Sequence, residues 1–209
     1  MIRLYDYVLS GSCYKVRLFA GLIGLDYAPV PIDYYPGREH RGAAFREINP
    51  LAQLPVLDDD GLVLRDAQAI LVYLAGQYDA ARTWYPTDPA VQGRIAMWLS
   101  FAGGEIMNSS AARLHDMLGY DFDIERVRTA AHDAFRVLDD HLTDQGIRGH
   151  GWIIDGSHPT IADIACFPYV ALAGDGGITI EDYAAIRPWL ERVKRLPGFL
   201  VMPGIHPAG

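Results

Sequence analysis

Ile2-Arg3-Leu4-Tyr5-Asp6-Tyr7, then Ser10-Gly11-Ser12-Cys13, then Val16, Phe19, Ala20 and Ile23, is the stretch on which the fold turns. The opening residues are short, apolar and aromatic-rich, as a strand requires. The polar break from Ser10 to Ser12 ends that strand. The four apolar residues beyond it fall at i, i+3, i+4 and i+7, the stripe of a helix, and Gly24 stands where a glycine closes one. Tyr27 to Ile32 supplies a second strand. Strand, helix and strand within about thirty residues make a βαβ unit with a right-handed crossover.

Working outward, Pro36 to Arg41 is a polar loop and Ala43 to Ile48 fits a short helix. Leu54 to Leu57 and Leu62 to Arg65 flank Asp58-Asp59-Asp60-Gly61, a turn sequence that predicts an antiparallel hairpin. The helical period returns from Ala67 to Tyr78. The order βαβ, α, ββ, α describes a mixed four-stranded sheet flanked by helices, an α/β thioredoxin-like plan. Residues 80–89 read as a linker, and Asp88-Pro89 is a strong helix start. Everything after it is helical in period: Ala90 to Leu118 with a break at Gly103-Gly104, Ile124 to Gln145, Thr160 to Ala173, and Ile180 to Leu196. The expected organisation is a thioredoxin-like domain over 1–79 and an all-α domain over 90–209.

The chain has 209 residues, half of them apolar and 21% charged, which suits a globular protein with an ample core. Eighteen Lys and Arg against 26 Asp and Glu give a net charge of −8, which argues against a nucleic-acid surface built on bulk charge. Two cysteines rule out a disulfide framework and fit a reducing compartment. The N-terminus has no basic segment followed by an apolar one, so no signal peptide is expected. The longest apolar run, Ile164 to Ala173, is interrupted by Pro168 and is too short for a bilayer. A soluble, cytoplasmic protein with no membrane partner is expected.

In a thioredoxin-like plan, the loop before the first helix aims at that helix's N-terminus, where free N–H groups and the dipole stabilise an anion. Ser10-Gly11-Ser12-Cys13 lacks the Cys-x-x-Cys pair of dithiol exchange. What remains is a site able to stabilise a thiolate supplied by another molecule. A free thiol with pKa near 8.5 is only slightly ionised at neutral pH. Lowering that pKa by ~2 units needs about 2.7 kcal/mol. A hydroxyl donating to a charged acceptor supplies roughly 1.5–3 kcal/mol, and a helix end adds about 0.3–1. Ser10 with the helix terminus is therefore sufficient. The plainer alternative, that Ser10 or Ser12 only caps the helix, stays open on local sequence.

With those residues in view, the chain resembles the soluble glutathione transferase family, in its serine-type theta and zeta classes. Leu4-Tyr5-Asp6-Tyr7 leading into Ser10-Gly11-Ser12-Cys13-Tyr14-Lys15-Val16-Arg17 carries the first likeness. Asn49-Pro50-Leu51-Ala52-Gln53-Leu54-Pro55-Val56-Leu57 is the second. Arg65-Asp66-Ala67-Gln68-Ala69-Ile70 and Pro159-Thr160-Ile161-Ala162-Asp163-Ile164 complete a set of four in order.

The resemblance implies glutathione as co-substrate, with Ser10 as the activating residue and Ser12 or Cys13 as alternatives. It implies a cis bond at Pro55 that presents the Leu54 backbone to the cysteinyl part of glutathione. Gln53 and Asp66 would bind the peptide and the γ-glutamyl ammonium, and His40 the glycine carboxylate, with Arg38 and Arg41 as alternative cations. Ala67 replaces the family's usual serine, which removes one hydroxyl contact. Thr160 and Asp163 form a capping box that opens a buried helix, and Cys166 on that helix reads as a core residue. The second substrate is expected against the first long helix of the all-α half, near Trp98, Phe101, Met107 and Arg113. A homodimer is implied as well. No metal site is expected: His115-Asp116 and His132-Asp133 lack partners at ligand spacing.

The expected reaction is attack by activated glutathione on an electrophilic small molecule. Rivals are a Cys13-dependent glutathione-linked reductase or peroxidase, a glutathione-dependent isomerase or dehalogenase, and a non-catalytic binding protein that kept the fold.

Overall fold

A computed structural model describes residues 1–209. Strand β1 (Ile2–Asp6) buries Ile2 and Leu4 against helix α1 (Gly11–Leu22), whose inward face is Val16, Leu18, Phe19 and Ala20. Gly24, at φ +64°, takes the left-handed conformation that ends α1. Strand β2 (Ala28–Pro31) pairs parallel to β1, closing the expected βαβ unit. Helix α2 (Ala43–Ile48) follows a single 3-10 turn at Glu39–Arg41.

Strands β3 (Val56–Asp59) and β4 (Leu62–Arg65) form the antiparallel hairpin, and β3 also runs antiparallel to β1. The sheet order is β2-β1-β3-β4. Two of the four expected turn residues, Asp58 and Asp59, extend the strand, and Asp60 and Gly61 alone make the reversal, both at positive φ. Helix α3 (Ala67–Tyr78) packs on the sheet beside α1.

Residues 79–88 hold no helix or strand, and Asp88 caps helix α4 (Pro89–Gly103) by accepting from the Val91 N–H at 2.9 Å. The break at the glycine pair separates α4 from α5 (Met107–Leu118). Helix α6 (Ile124–Ile147) is the longest, and α7 (Ile161–Ala171) is the most buried: every residue from Ile161 to Val170 is buried. Helix α7 packs against both α4 and α1, so one apolar core runs through both halves of the chain. No helix is long and apolar enough to cross a membrane.

The last helix is shorter than expected. Helix α8 spans Ile186–Lys194 and begins six residues later than periodicity indicates. Its start is set by Asp139 of α6, whose Oδ1 accepts from the Ala185 and Ile186 N–H groups at 2.8 and 2.9 Å. A cap delivered from another helix leaves no mark in the local sequence.

Candidate active site

The site forms where the first turns of α1 and α3 and the loop before β3 face helices α5 and α7. A cavity of about 430 Å³ opens there. Its sheet-side wall includes Ser10, Gln53, Leu54, Pro55, Asp66 and Ala67. Its helical wall includes Met107, Arg113, Leu114, Met117 and Tyr169.

Ser10 is the N-cap of α1, and its Oγ accepts from the Cys13 N–H at 3.2 Å. Capping and activation are therefore compatible at this residue. The cap uses an oxygen lone pair, and the hydroxyl hydrogen stays available to a neighbour. Accepting a bond also makes that O–H the better donor.

Cys13 lies three residues on, fully buried and outside the cavity wall. Burial, with Asp6 nearby, pushes its thiol up to about 12. Ser10 and the Tyr7 backbone lie close enough to favour the thiolate, but burial outweighs them, and a helix terminus activates a thiol only where its sulfur is not desolvated in this way.

The Asn-Pro-x-x-Gln motif acts through the backbone. Asn49, buried, donates from Nδ2 to the Gln53 carbonyl at 2.8 Å and accepts from the Leu51 N–H at 3.1 Å. That brace fixes the loop whose next bond, Leu54–Pro55, is cis. Leu54 lies on the cavity wall, and its own N–H and C=O have no partner within the chain.

Asp66 caps α3, with Oδ1 accepting from the Gln68 and Ala69 N–H groups at 2.9 and 3.0 Å. Its Oδ2 is left for a ligand. The residue sits at φ 74°, ψ 124°, an outlying conformation of the kind that functional sites retain. Ala67 is on the wall, and the adjacent Gln68 lines it too.

Three expected residues are placed elsewhere. His40 is buried and stacks on Tyr34 with ring centroids 4.0 Å apart, behind the cavity rather than on it. Burial, with Arg41, Arg38 and Arg46 around it, holds its pKa below the usual imidazole value, which disfavours a cation for a carboxylate. Its Nδ1 has no partner. Trp98 and Phe101 pack edge to face at 5.1 Å and do not reach the cavity. Trp98 belongs to the core, where its carbonyl faces the Cys166 thiol on α7.

Met107 and Arg113 do reach the cavity. Arg113 is almost fully buried. Its Nε donates to Asp175 at 2.9 Å and its Nη1 to the Leu9 carbonyl at 2.7 Å, tying the helical half to the residue before Ser10.

Sequence reasoning missed Tyr169. Helix α7 is apolar on every side, so its periodicity singles out no face. The Tyr169 hydroxyl accepts from the Ser12 N–H at 3.0 Å and lies 2.9 Å from Ser12 Oγ. No cluster of three or more His, Cys, Asp or Glu is arranged to hold a metal ion.

Known proteins share the sequence pattern and fold of this chain. A sequence model of the glutathione S-transferase N-terminal domain matches residues 4–82, and one of the C-terminal domain matches residues 121–192. The chain is 30% identical over 204 residues to maleylacetoacetate isomerase of Pseudomonas aeruginosa, covering 95% of this chain and 93% of that protein. It is 26% identical over 204 residues to glutathione S-transferase theta-1 of Rattus norvegicus, covering 95% and 84%. The crystal structure of a glutathione S-transferase from Pseudomonas fluorescens matches with a TM-score of 0.86 at 27% identity, covering 96% and 98%. With both domain signatures in order and relatives aligned almost end to end, the chain belongs to the glutathione S-transferase family of enzymes.

Proposed function

We propose that the cavity binds glutathione along its sheet-side wall and that Ser10 donates to the bound sulfur, holding it as a thiolate that attacks an electrophilic small molecule lodged against the helical wall. The observation that carries this reading is the Ser10 hydroxyl, which caps α1 through a lone pair while lining the cavity with its hydrogen unspent. The unpaired backbone of Leu54 suits the cysteinyl amide, as an added strand segment would. Asp66 Oδ2 suits the γ-glutamyl ammonium, and Gln53 the peptide. The thiolate reacts in place, so the chain supplies ionisation, proximity and orientation without a covalent intermediate of its own. A homodimer and a cytoplasmic setting belong to the same proposal.

A second reading has a specific support, the relative named maleylacetoacetate isomerase. The same thiolate would add to a conjugated double bond, permit rotation about the resulting single bond, and leave unchanged. Glutathione is consumed in a transfer and returned in an isomerisation, so its stoichiometry separates the two. The Cys13-dependent alternative is disfavoured by the burial of that thiol.

Retention on immobilised glutathione and turnover with 1-chloro-2,4-dinitrobenzene test the reading. Wild type is expected to be retained and active, and Ser10→Ala retained with a much lower rate. Full activity in Ser10→Ala, with loss in Cys13→Ala, would overturn it.

A further inference from the structure

We propose that Ser12 and Tyr169 act as one unit that presents a second O–H donor to the sulfur held in the cavity, alongside Ser10. The inference rests on the reading of the cavity as a thiolate site. It goes beyond that reading by giving a catalytic contact to a residue of the helical half.

The two hydroxyls carry more hydrogens than they spend on each other. The Ser12 N–H donates to the Tyr169 hydroxyl, and the two hydroxyl oxygens lie 2.9 Å apart, sharing one hydrogen bond. Two hydroxyls carry two hydrogens, and only one can be spent between them. Neither oxygen has another partner in the chain, and both residues line the cavity. One O–H is therefore left without an acceptor in the chain, at residues that line the cavity, whichever residue carries it. The backbone N–H strengthens that donor by the cooperativity that also operates at Ser10.

Three positions on α1 are shaped to the Tyr169 ring. Gly11 leaves the room it needs, since a Cβ there would stand 2.6 Å from Tyr169 Cε1. Ser12 holds the hydroxyl. Lys15, fully buried and with no hydrogen-bond partner at Nζ, lies 5.2 Å from the ring centroid, a cation–π contact that fixes the ring's orientation. A tyrosine serving only to join the two halves would not need its hydroxyl beside the cavity.

A double-mutant cycle tests the unit, read as kcat/KM with 1-chloro-2,4-dinitrobenzene and as the pH midpoint of the ultraviolet thiolate band of bound glutathione. Ser12→Ala leaves the tyrosine O–H, and Tyr169→Phe leaves the serine O–H, so each is expected to lower the rate by ~2–5-fold. The double variant has neither and is expected to fall by ~30-fold or more, beyond the product of the singles. Its thiolate midpoint is expected to rise by about one pH unit. Ser12→Thr in the Tyr169→Phe background keeps a hydroxyl and is expected to hold the rate of Tyr169→Phe alone.

A double equal to the product of the singles, an unmoved midpoint, or Tyr169→Phe alone matching the double would overturn the unit. A threonine that fails to rescue would also overturn it. A wild-type chain with no thiolate band would overturn the underlying reading and this inference together, whereas a band that responds to Ser10→Ala and ignores the double removes this inference alone.

Discussion

The two walls of the cavity are built on different principles. The sheet-side wall is made by short-range turns and caps: a serine cap, a braced loop entering a cis-proline, and an aspartate cap in an outlying conformation. Each of these devices is closed within a few residues of chain. The helical wall is made by side chains, Met107, Arg113, Met117 and Tyr169, brought in by helices that pack from far away in sequence. One wall is fixed by local geometry and suits an invariant ligand. The other is set by single side chains, which under the proposed function would suit it to differing second substrates.

The largest effect is expected at the frame of the helical wall. Asp163, fully buried, accepts from the Ile153 N–H and Trp189 Nε1–H through Oδ1 and from the Thr160 N–H through Oδ2. Asp163→Ala leaves three buried donors without partners and is expected to cost about 3–5 kcal/mol in urea unfolding. Helix α7 also carries Tyr169, so this variant should weaken both walls at once. A loss confined to the helical half, with the sheet half melting as before, would break the picture of a shared core.

This residue also marks what the sequence discloses. Thr160 and Asp163 sit three apart, and their capping box is legible as a motif even though it lies in the helical half. Ser10, Pro55 and Asp66 are legible for the same reason: each acts within its own turn. Tyr169, Arg113 and the Asp139 cap of α8 act across more than forty residues. His40 and Trp98 are the reverse case, with chemically apt side chains that packing turned into the core. Legibility followed the range of the interaction and not the half of the chain it belongs to.

The seam between the walls is expected to respond to pH. Burial holds the Lys15 amine at about 8, below its ordinary 10.5. Between those values the unfolded chain keeps a proton that the folded chain has released, so stability rises with pH through that window. Below it, the cost of a buried ammonium is present in full. Lys15→Met is expected to be more stable than wild type by about 2–3 kcal/mol at pH 7, with the difference shrinking towards pH 10. Denaturation midpoints of the two proteins, run in parallel across that range, check the sign. A constant difference would mean that folding leaves the Lys15 amine's pKa unshifted.

On the sheet-side wall, Ser10→Ala is expected to lower kcat/KM by ~10–100-fold, the value of one hydrogen bond to a charged acceptor. The loss should be greatest near neutral pH and recover as alkali ionises the thiol unaided. The glutathione KM is expected to change little, because the contacts proposed for Leu54 and Asp66 are left intact. A KM effect as large as the rate effect would make Ser10 a binding residue and blur the distinction between the walls.

The smallest effect is also the most selective. Met107 and Met117 line the helical wall. Met117 is partly exposed, so truncating it removes a modest apolar area. Met117→Ala is expected to shift KM for the electrophile by ~2–5-fold, in a direction that depends on the electrophile's bulk. Glutathione KM and the thiolate midpoint should stay put, because the hydrogen bonds that set Ser10, Asn49 and Asp66 do not involve that side chain. The comparison is sharpened by running small and large electrophiles against both Met107→Ala and Met117→Ala. If glutathione KM moves with electrophile KM, the walls share their ligands, and the division between a wall made by local turns and a wall made by distant helices has no functional meaning.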